Sequence, residues 1–307
     1  MSKTSNILCA IDEAYVPYCG IMLTSLFQSN DGCRFHIYII CNSLSNDSKN
    51  KLTLLCEQYG NCLSFVSIEE KTTQNFPIKS SDHVSLATYY RLFAPQILPP
   101  DVDRILYLDC DIIVNDRIDE LYNCDIDNYA LACVLDEDYM SDAKYQRLGL
   151  EPPKTYFNAG VLLLNISYWR EHNVTERCIR CIDELHDKLL LHDQDTLNVV
   201  LKNEVKLAHV KYNFQTGFLY TKTKLSENTR KEIVGTLDRP AIIHYTGPNK
   251  PWLLHYHHPY LNTFRDFMLK SPWNDLKLVR KFKTEYRYWR HSIKFFLHLK
   301  KWPYITK

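Results

Sequence analysis

Short apolar runs and amphipathic stretches alternate from the start of the chain. Residues 7–11, 35–41 and 63–68 are compact runs rich in Ile, Leu, Phe and Val, the pattern of buried strands. Between the first two, Pro17 is placed to open a helix that runs through Met22, Leu23 and Leu26 to Gln28. Between the second and third, Ser45, Asn46 and Asp47 offer caps for a helix that carries Leu52, Leu55, Cys56 and Tyr59 and closes at Gly60. This alternation predicts parallel βαβ units in a doubly wound α/β sheet, whose ligands lie beyond the carboxyl ends of the strands. Downstream, the pattern predicts a helix over 85–97, strands over 104–114, 129–135, 156–165 and 240–245, and a long helix over 169–191.

The run over 104–114 organises the rest. Two carboxylates, Asp109 and Asp111, interrupt it, and charged groups inside such a run are costly unless something compensates them. In an extended strand, residues two apart share a side. Both carboxylates could then converge on one divalent cation, Mn or Mg by the chemistry of their oxygen donors. Asp12 follows the first strand as Asp109 follows the central one, so the two fall on one rim. No G-x-G-x-x-G and no P-loop motif follows the first strand, which argues against a dinucleotide or P-loop site.

Arg91 is the one charge in a mostly apolar segment and reads equally well as a structural arginine. Asn158, in an apolar strand, needs partners and is either a backbone clamp or a substrate contact. Residues 192–198 (His-Asp-Gln-Asp-Thr-Leu-Asn) carry more hydrogen-bonding side chains than one helix cap uses. His244 ends the strand over 240–245, a place where histidine is more often structural, and Lys250 stands alone in the turn that follows.

With 307 residues, 45% of them hydrophobic, the chain can bury the core of one large domain or two smaller ones. Its net charge of +1 points to no polyanionic partner, but the charge is unevenly placed. Residues 277–307 hold seven Lys and three Arg against Glu285 alone, interleaved with aromatics such as Tyr286, Trp289 and Phe296. Such a segment suits the surface of an anionic membrane; nucleic acid would also attract it, but no nucleic-acid motif accompanies it. The expected organisation is a catalytic domain over 1–271 and a basic, aromatic helical tail over 272–307 for membrane-surface attachment. The eleven cysteines are irregularly spaced, and Cys178 with Cys181 reads as a shared buried helix face, so a reducing compartment is expected. The first residues lack a signal-length apolar region and no stretch reaches transmembrane length, which predicts a cytoplasmic protein, peripheral on the inner face of the plasma membrane.

Taken together, these segments make the chain resemble glycosyltransferase family 8 over about residues 6–255. The resemblance is carried by Tyr107-Leu108-Asp109-Cys110-Asp111, Phe157-Asn158-Ala159-Gly160-Val161, Asp193-Gln194-Asp195-Thr196-Leu197-Asn198 and His244-Tyr245-Thr246-Gly247-Pro248-Asn249-Lys250-Pro251-Trp252. It implies a GT-A fold, a mixed α/β sheet flanked by helices with a single nucleotide-sugar site. It also implies a retaining, Mn-dependent transfer of glucose or galactose from a UDP-sugar to a hydroxyl of a growing cell-surface glycan such as lipopolysaccharide core.

By the same resemblance, Asp109, Asp111 and His244 hold Mn2+, with Mg2+ as second choice. The positions implied for the UDP-sugar are Ala10, Ile11, Asp12, Tyr15, Arg91, Asp109, Cys110, Asp111, Asn158, Gly247 and Lys250. Ala14 stands where the family often has Asn. Arg91, Asp193 and Gln194 fall beside the donor sugar, and Asp136 near sugar or acceptor. Gln194 is a poor nucleophile, which favours front-face displacement over a covalent intermediate. The implied partners are a UDP-sugar, a glycan or glycolipid acceptor and an anionic membrane surface reached through 277–307, with no nucleic acid. Two other readings compete: a non-catalytic UDP-sugar-binding relative, opposed by the intact metal set, and a sugar nucleotidyltransferase. The second would show a Gly-rich basic loop after the first strand, which is absent.

Overall fold

A computed structural model describes residues 4–68, 76–77, 86–280 and 304–305. At the start of the chain, β1 (Ser5–Ala10), α1 (Val16–Ser29), β2 (Phe35–Ile40), α2 (Asn46–Gln58) and β3 (Cys62–Val66) alternate as the hydrophobic pattern predicts, and their strands pair in parallel. Pro17 lies in the first turn of α1, where its missing N–H is not needed. The Ser45 hydroxyl caps α2 by accepting from Ser48 N at 3.1 Å. The helix expected over 85–97 is instead a 3-10 stretch, Leu86–Phe93, followed by the short α3 (Ala94–Ile97). Pro95 in the first turn of α3 prevents a continuous α-helix across that junction.

β4 (Arg104–Leu108) pairs with β1 in parallel. The single strand expected over 104–114 is broken: after a step at Asp109-Cys110-Asp111, β5 (Ile112–Val114) belongs to a second sheet. The remaining elements are α4 (Asp119–Tyr122), β6 (Leu131–Leu135), α5 (Asp142–Leu148), β7 (Phe157–Asn165), α6 (Ile166–Glu171), α7 (Val174–Leu185), α8 (His192–Val200), β8 (Val205–Leu207), β9 (Phe214–Gln215), α9 (Glu227–Thr236), β10 (Ile242–His244) and α10 (Leu261–Lys270). The long helix expected over 169–191 is thus divided between α6, α7 and a 3-10 turn at His186–Lys188, with Asn173 at φ +49° where the first two part.

The main sheet has the order β3-β2-β1-β4-β7-β6-β8, and β7 runs antiparallel to both of its neighbours. The first three strands pair in parallel as the alternation predicts, and the whole is the mixed sheet of the GT-A fold that the resemblance implies. The smaller sheet has the order β5-β10-β9. Along the central strands, side chains alternate between two apolar layers. Leu106, Leu108, Val161 and Leu163 join the layer with α1, while Ile105, Tyr107, Leu162 and Leu164 join the layer with Trp169. A third cluster, including Ile21, Ile113, Ile243, Trp252 and Phe264, fastens the small sheet between α1 and α10. All eleven cysteines are unpaired, and Cys178 and Cys181 share the buried face of α7 as expected.

Residues past 271 continue onto the body. Trp273 lies flat against Gly20 of α1, where any Cβ would enter the indole ring. Val279 exchanges backbone hydrogen bonds with the 252–254 segment, at 2.8 Å to Trp252 O and 3.0 Å from Leu254 N. Tyr304 donates its hydroxyl to His257 O at 2.8 Å and stacks on Tyr220, and Ile305 N donates to Leu219 O at 2.6 Å. Both ends of the basic stretch thus rest on the body; the stretch itself, 281–303, with its expected helix, lies outside the described residues. Among the described residues, no helix is long and apolar enough to cross a membrane.

Candidate active site

The step between the two sheets builds the site. Asp109 N donates to Gly160 O at 2.9 Å, which closes the ladder of β4 on β7; Tyr245 N donates to Asp111 O at 3.0 Å, which starts that of β10 on β5. Each carboxylate is therefore anchored by a different sheet. The strand is broken, yet side-chain alternation runs through the step: Leu108, Cys110 and Ile112 face the α1 layer, and Asp109 and Asp111 share the other side as expected. Cys110 between them turns its thiol into the core toward Cys9 and Cys19, so only its backbone is left to face a ligand.

Beyond the carboxyl ends of β1 and β4 lies a cavity of about 830 Å³. Of the expected positions, the structure brings Ala10, Ile11, Asp12, Tyr15, Arg91, Asp109, Cys110, Asp111, Asp136, Asn158, Asp193, Gln194, His244, Gly247 and Lys250 to its walls. Ile11 buries its side chain in the core and offers the cavity its backbone.

Asp109 and Asp111 divide their oxygens in the same way. Asp109 Oδ1 accepts from Arg91 Nη2 at 2.9 Å and from the Tyr107 hydroxyl at 2.8 Å, while Oδ2 is turned to His244 Nε2 at 3.9 Å. Asp111 Oδ2 accepts from Lys250 Nζ, while Oδ1 lies 3.2 Å from His244 Nε2. One ligand atom from each of the three residues lies within 4.8 Å of the others. Two carboxylate oxygens and one imidazole nitrogen that converge in this way could hold a divalent cation such as Mn2+. Burial alone would raise the Asp111 carboxyl, but Lys250 and then His244 beside it hold it well below the usual carboxylate range. Gly160 on β7 makes room: a Cβ there would land in the His244 ring and against Asp109 Oδ2.

On the side of the cavity next to β1, Asp12 Oδ1 accepts from Tyr15 N at 3.2 Å, and Tyr15 stands edge-on to Trp252, which stacks on Tyr18 at 3.6 Å between centroids. Gly247 sits at φ +84°, the left-handed region that glycine tolerates, so the backbone turns tightly before Lys250.

On the opposite side, Arg91 is 4% exposed, lies 3.9 Å over the Tyr107 ring, and donates to Ala159 O and, at 3.1 Å, to Thr88 O. Asp193 Oδ1 accepts from the Thr88 hydroxyl. Its Oδ2 lies 3.0 Å from Arg91 Nε but takes no hydrogen bond, because that N–H is directed to Thr88 O. Burial raises the Asp193 carboxyl against the lowering pull of Arg91 and Thr88. That oxygen is fully enclosed, with its charge answered by the Arg91 guanidinium beside it. Gln194 is committed at both ends: Oε1 accepts from Ala159 N at 3.0 Å and Nε2 donates to Asp136 Oδ2 at 3.1 Å. Residues 192–198 prove to be α8 itself; no side chain of Leu191 caps it, Asp195 Oδ2 reaches back to accept from Leu191 N at 2.7 Å, and Asp193, Gln194 and Asn198 make tertiary contacts.

Sequence reading passes over Tyr107, Glu137, Lys144, Gly160 as a spacer, and Asn213. A glycine inside a strand pattern signals a close approach and could have flagged Gly160; Asn213 lies in no motif, and its role depends on partners far along the chain.

A family model described as Glycosyl transferase family 8 matches residues 6–255. The chain is 30% identical over 276 residues to General stress protein A of Bacillus subtilis, covering 88% of this chain and 95% of that one. It is 28% identical to the lipopolysaccharide 1,2-glucosyltransferase of Escherichia coli K12, covering 94% of this chain and 86% of that one. The solved structure of the galactosyltransferase LgtC with donor and acceptor sugar analogues superposes with a TM-score of 0.79 at 24% identity, over 87% of this chain and 96% of the other. The chain belongs to glycosyltransferase family 8.

Proposed function

We propose that the chain transfers glucose or galactose from a UDP-sugar to a hydroxyl of a growing cell-surface glycan, with retention of configuration and with Mn2+ bound by Asp109, Asp111 and His244. The observation that carries this reading is the meeting of those three ligand atoms in a cavity also lined by Asp12, Lys250 and Asp193. Relatives that act on lipopolysaccharide support the acceptor class, and the named glucosyl- and galactosyltransferases support a hexose donor. The bound cation would supply positive charge for the leaving diphosphate.

The chain's own residues do the rest. Asp12 and Tyr15 hold the uracil and ribose, and the turn at Gly247 brings backbone and the Lys250 ammonium to the phosphates. Asp193 lies beside the donor sugar, and Arg91 fixes Asp193 and Asp109 relative to one another. Gln194 supports front-face displacement, since its carbonyl oxygen is already held by Ala159 N and makes a poor nucleophile. We further infer peripheral attachment to an anionic membrane through the bases of 277–307, on the cytoplasmic face. It is supported by the composition of that stretch.

The test is release of UDP from a panel of UDP-sugars by purified protein, with and without Mn2+, beside the Asp111→Asn variant. Release from one donor, dependent on Mn2+ and abolished in the variant, is expected. No release from any donor, with no UDP binding, would end the reading.

A further inference from the structure

Asn158 and Asn213 are enclosed amides, 8% and 0% exposed, and neither is free to choose its orientation. Gly160 N donates to Asn158 Oδ1 at 3.0 Å, where only an oxygen can accept. Asn158 Nδ2 therefore faces Asp136 Oδ2, at 3.4 Å. Asn213 Nδ2 donates to the same Asn158 Oδ1 at 2.9 Å, which leaves Asn213 Oδ1 facing His244 Nδ1 at 2.8 Å. An oxygen in that place puts the proton on Nδ1 and directs the Nε2 lone pair at Asp109 Oδ2 and Asp111 Oδ1. Lys144, 7% exposed, holds the far end by donating to Asp136 Oδ1 at 2.8 Å, with Asp138 N donating to the same oxygen at 3.0 Å. Every donor along the line points from His244 toward Asp136, a direction fixed by Gly160 N at Asn158 Oδ1 and by the Asp136 carboxylate, which can only accept.

We propose that Asp136, held by Lys144, is a positioning residue for the metal: through Asn158 and Asn213 it fixes His244 with its proton on Nδ1 and Nε2 free to ligate. The inference rests on the metal reading above and gives Asp136 a part distinct from substrate contact.

The isosteric Asp136→Asn variant tests it. Lys144 Nζ and Asp138 N keep the amide oxygen on their side, so the new NH2 turns toward the Asn158 and Gln194 amides, donor against donor. Relief comes by displacing Asn158 or by turning it over against Gly160 N, and either course loosens Asn213 and the oxygen it holds against His244 Nδ1. Moving the carboxylate one link along, in Asp136→Asn/Asn158→Asp, restores an acceptor for Gly160 N, for Asn213 Nδ2 and for the new amide.

Mn2+ affinity is read without turnover, from the resonance of free Mn2+ in a titration of each protein, with folding checked by circular dichroism. The expected result is binding about 10–100-fold weaker in Asp136→Asn and recovery to within about threefold of wild type in the double variant. Equal affinity in wild type and Asp136→Asn would overturn the proposal while leaving the metal reading intact, as would a double variant no tighter than the single. Absence of Mn2+ binding to wild type would sink the metal reading, and this proposal with it. A second measurement needs no relay variant: nitrogen-15 histidine spectra of the Zn2+-loaded protein, with the His244 signal identified by its loss in His244→Gln. A proton on Nδ1 and metal on Nε2 is expected; the reverse arrangement overturns the proposal.

Discussion

On the nucleotide side of the cavity, Asp12 accepts a hydrogen bond from Tyr15 N, while on the sugar side Asp136 accepts from Lys144, Asp138, Asn158 and Gln194. Beside Asp136, Asp195 is fully buried and takes two bonds from Arg147, one from the Tyr156 hydroxyl and one from Leu191 N. The nucleotide side thus keeps polar capacity for a ligand, and the sugar side spends nearly all of its own on itself. A saturated network holds its members in one arrangement, which is what a reacting centre needs. Asp193 Oδ2 takes no hydrogen bond and is enclosed beside the Arg91 guanidinium. Substitutions on the sugar side should therefore be read first in stability, and those on the nucleotide side first in ligand affinity.

The largest expected break is Arg147→Met. It leaves Asp195 without its cation in a buried setting, at a cost of about 3 kcal/mol in unfolding free energy, measured by urea denaturation. A loss no larger than that of the nucleotide-side variants would erase the distinction. Next is Gly160→Ala, whose Cβ displaces His244 and Asp109 between the two sides. Mn2+ affinity should fall by about 10–100-fold, read by calorimetry. On the nucleotide side, Asp12→Ala removes a cap and a ligand acceptor, with a stability loss of only about 1 kcal/mol but UDP binding weaker by about tenfold.

The smallest effect is one of pH. Burial raises the Glu137 carboxyl above its ordinary 4.5, although Thr246 and Gly217 N donate to it. The unfolded chain therefore releases this proton at lower pH than the folded one, and stability is lost as pH rises from 4.5 through the folded value. Glu137→Gln should flatten that part of the stability profile; an unchanged slope would mean that Glu137 is not the group responsible.

Much of this was legible in the chain. Apolar runs gave β1 to β3 with their helices, and Asp109 and Asp111 stood out because charge inside an apolar run needs a cause. What stayed hidden has a common origin in side-chain direction. The break at Asp109-Cys110-Asp111 is invisible to hydrophobicity, since Ile112–Val114 are as buried in the small sheet as Arg104–Leu108 are in the large one. Asn213 and Lys144 look like ordinary polar residues until β7 brings Asn158, 55 positions away, to the first and the end of β6 brings Asp136, 8 positions away, to the second. Asn158, left open between backbone clamp and substrate contact, turns out to bond backbone and side chains alike.

The central claim is that Asp109, Asp111 and His244 form a cation site that completes the nucleotide pocket. Calorimetric titration of UDP into the protein, with and without Mn2+, addresses it most directly when repeated on Asp111→Asn. The account predicts UDP binding that strengthens markedly with Mn2+ in wild type and is insensitive to Mn2+ in the variant. UDP binding of equal strength with and without Mn2+ in wild type would contradict it.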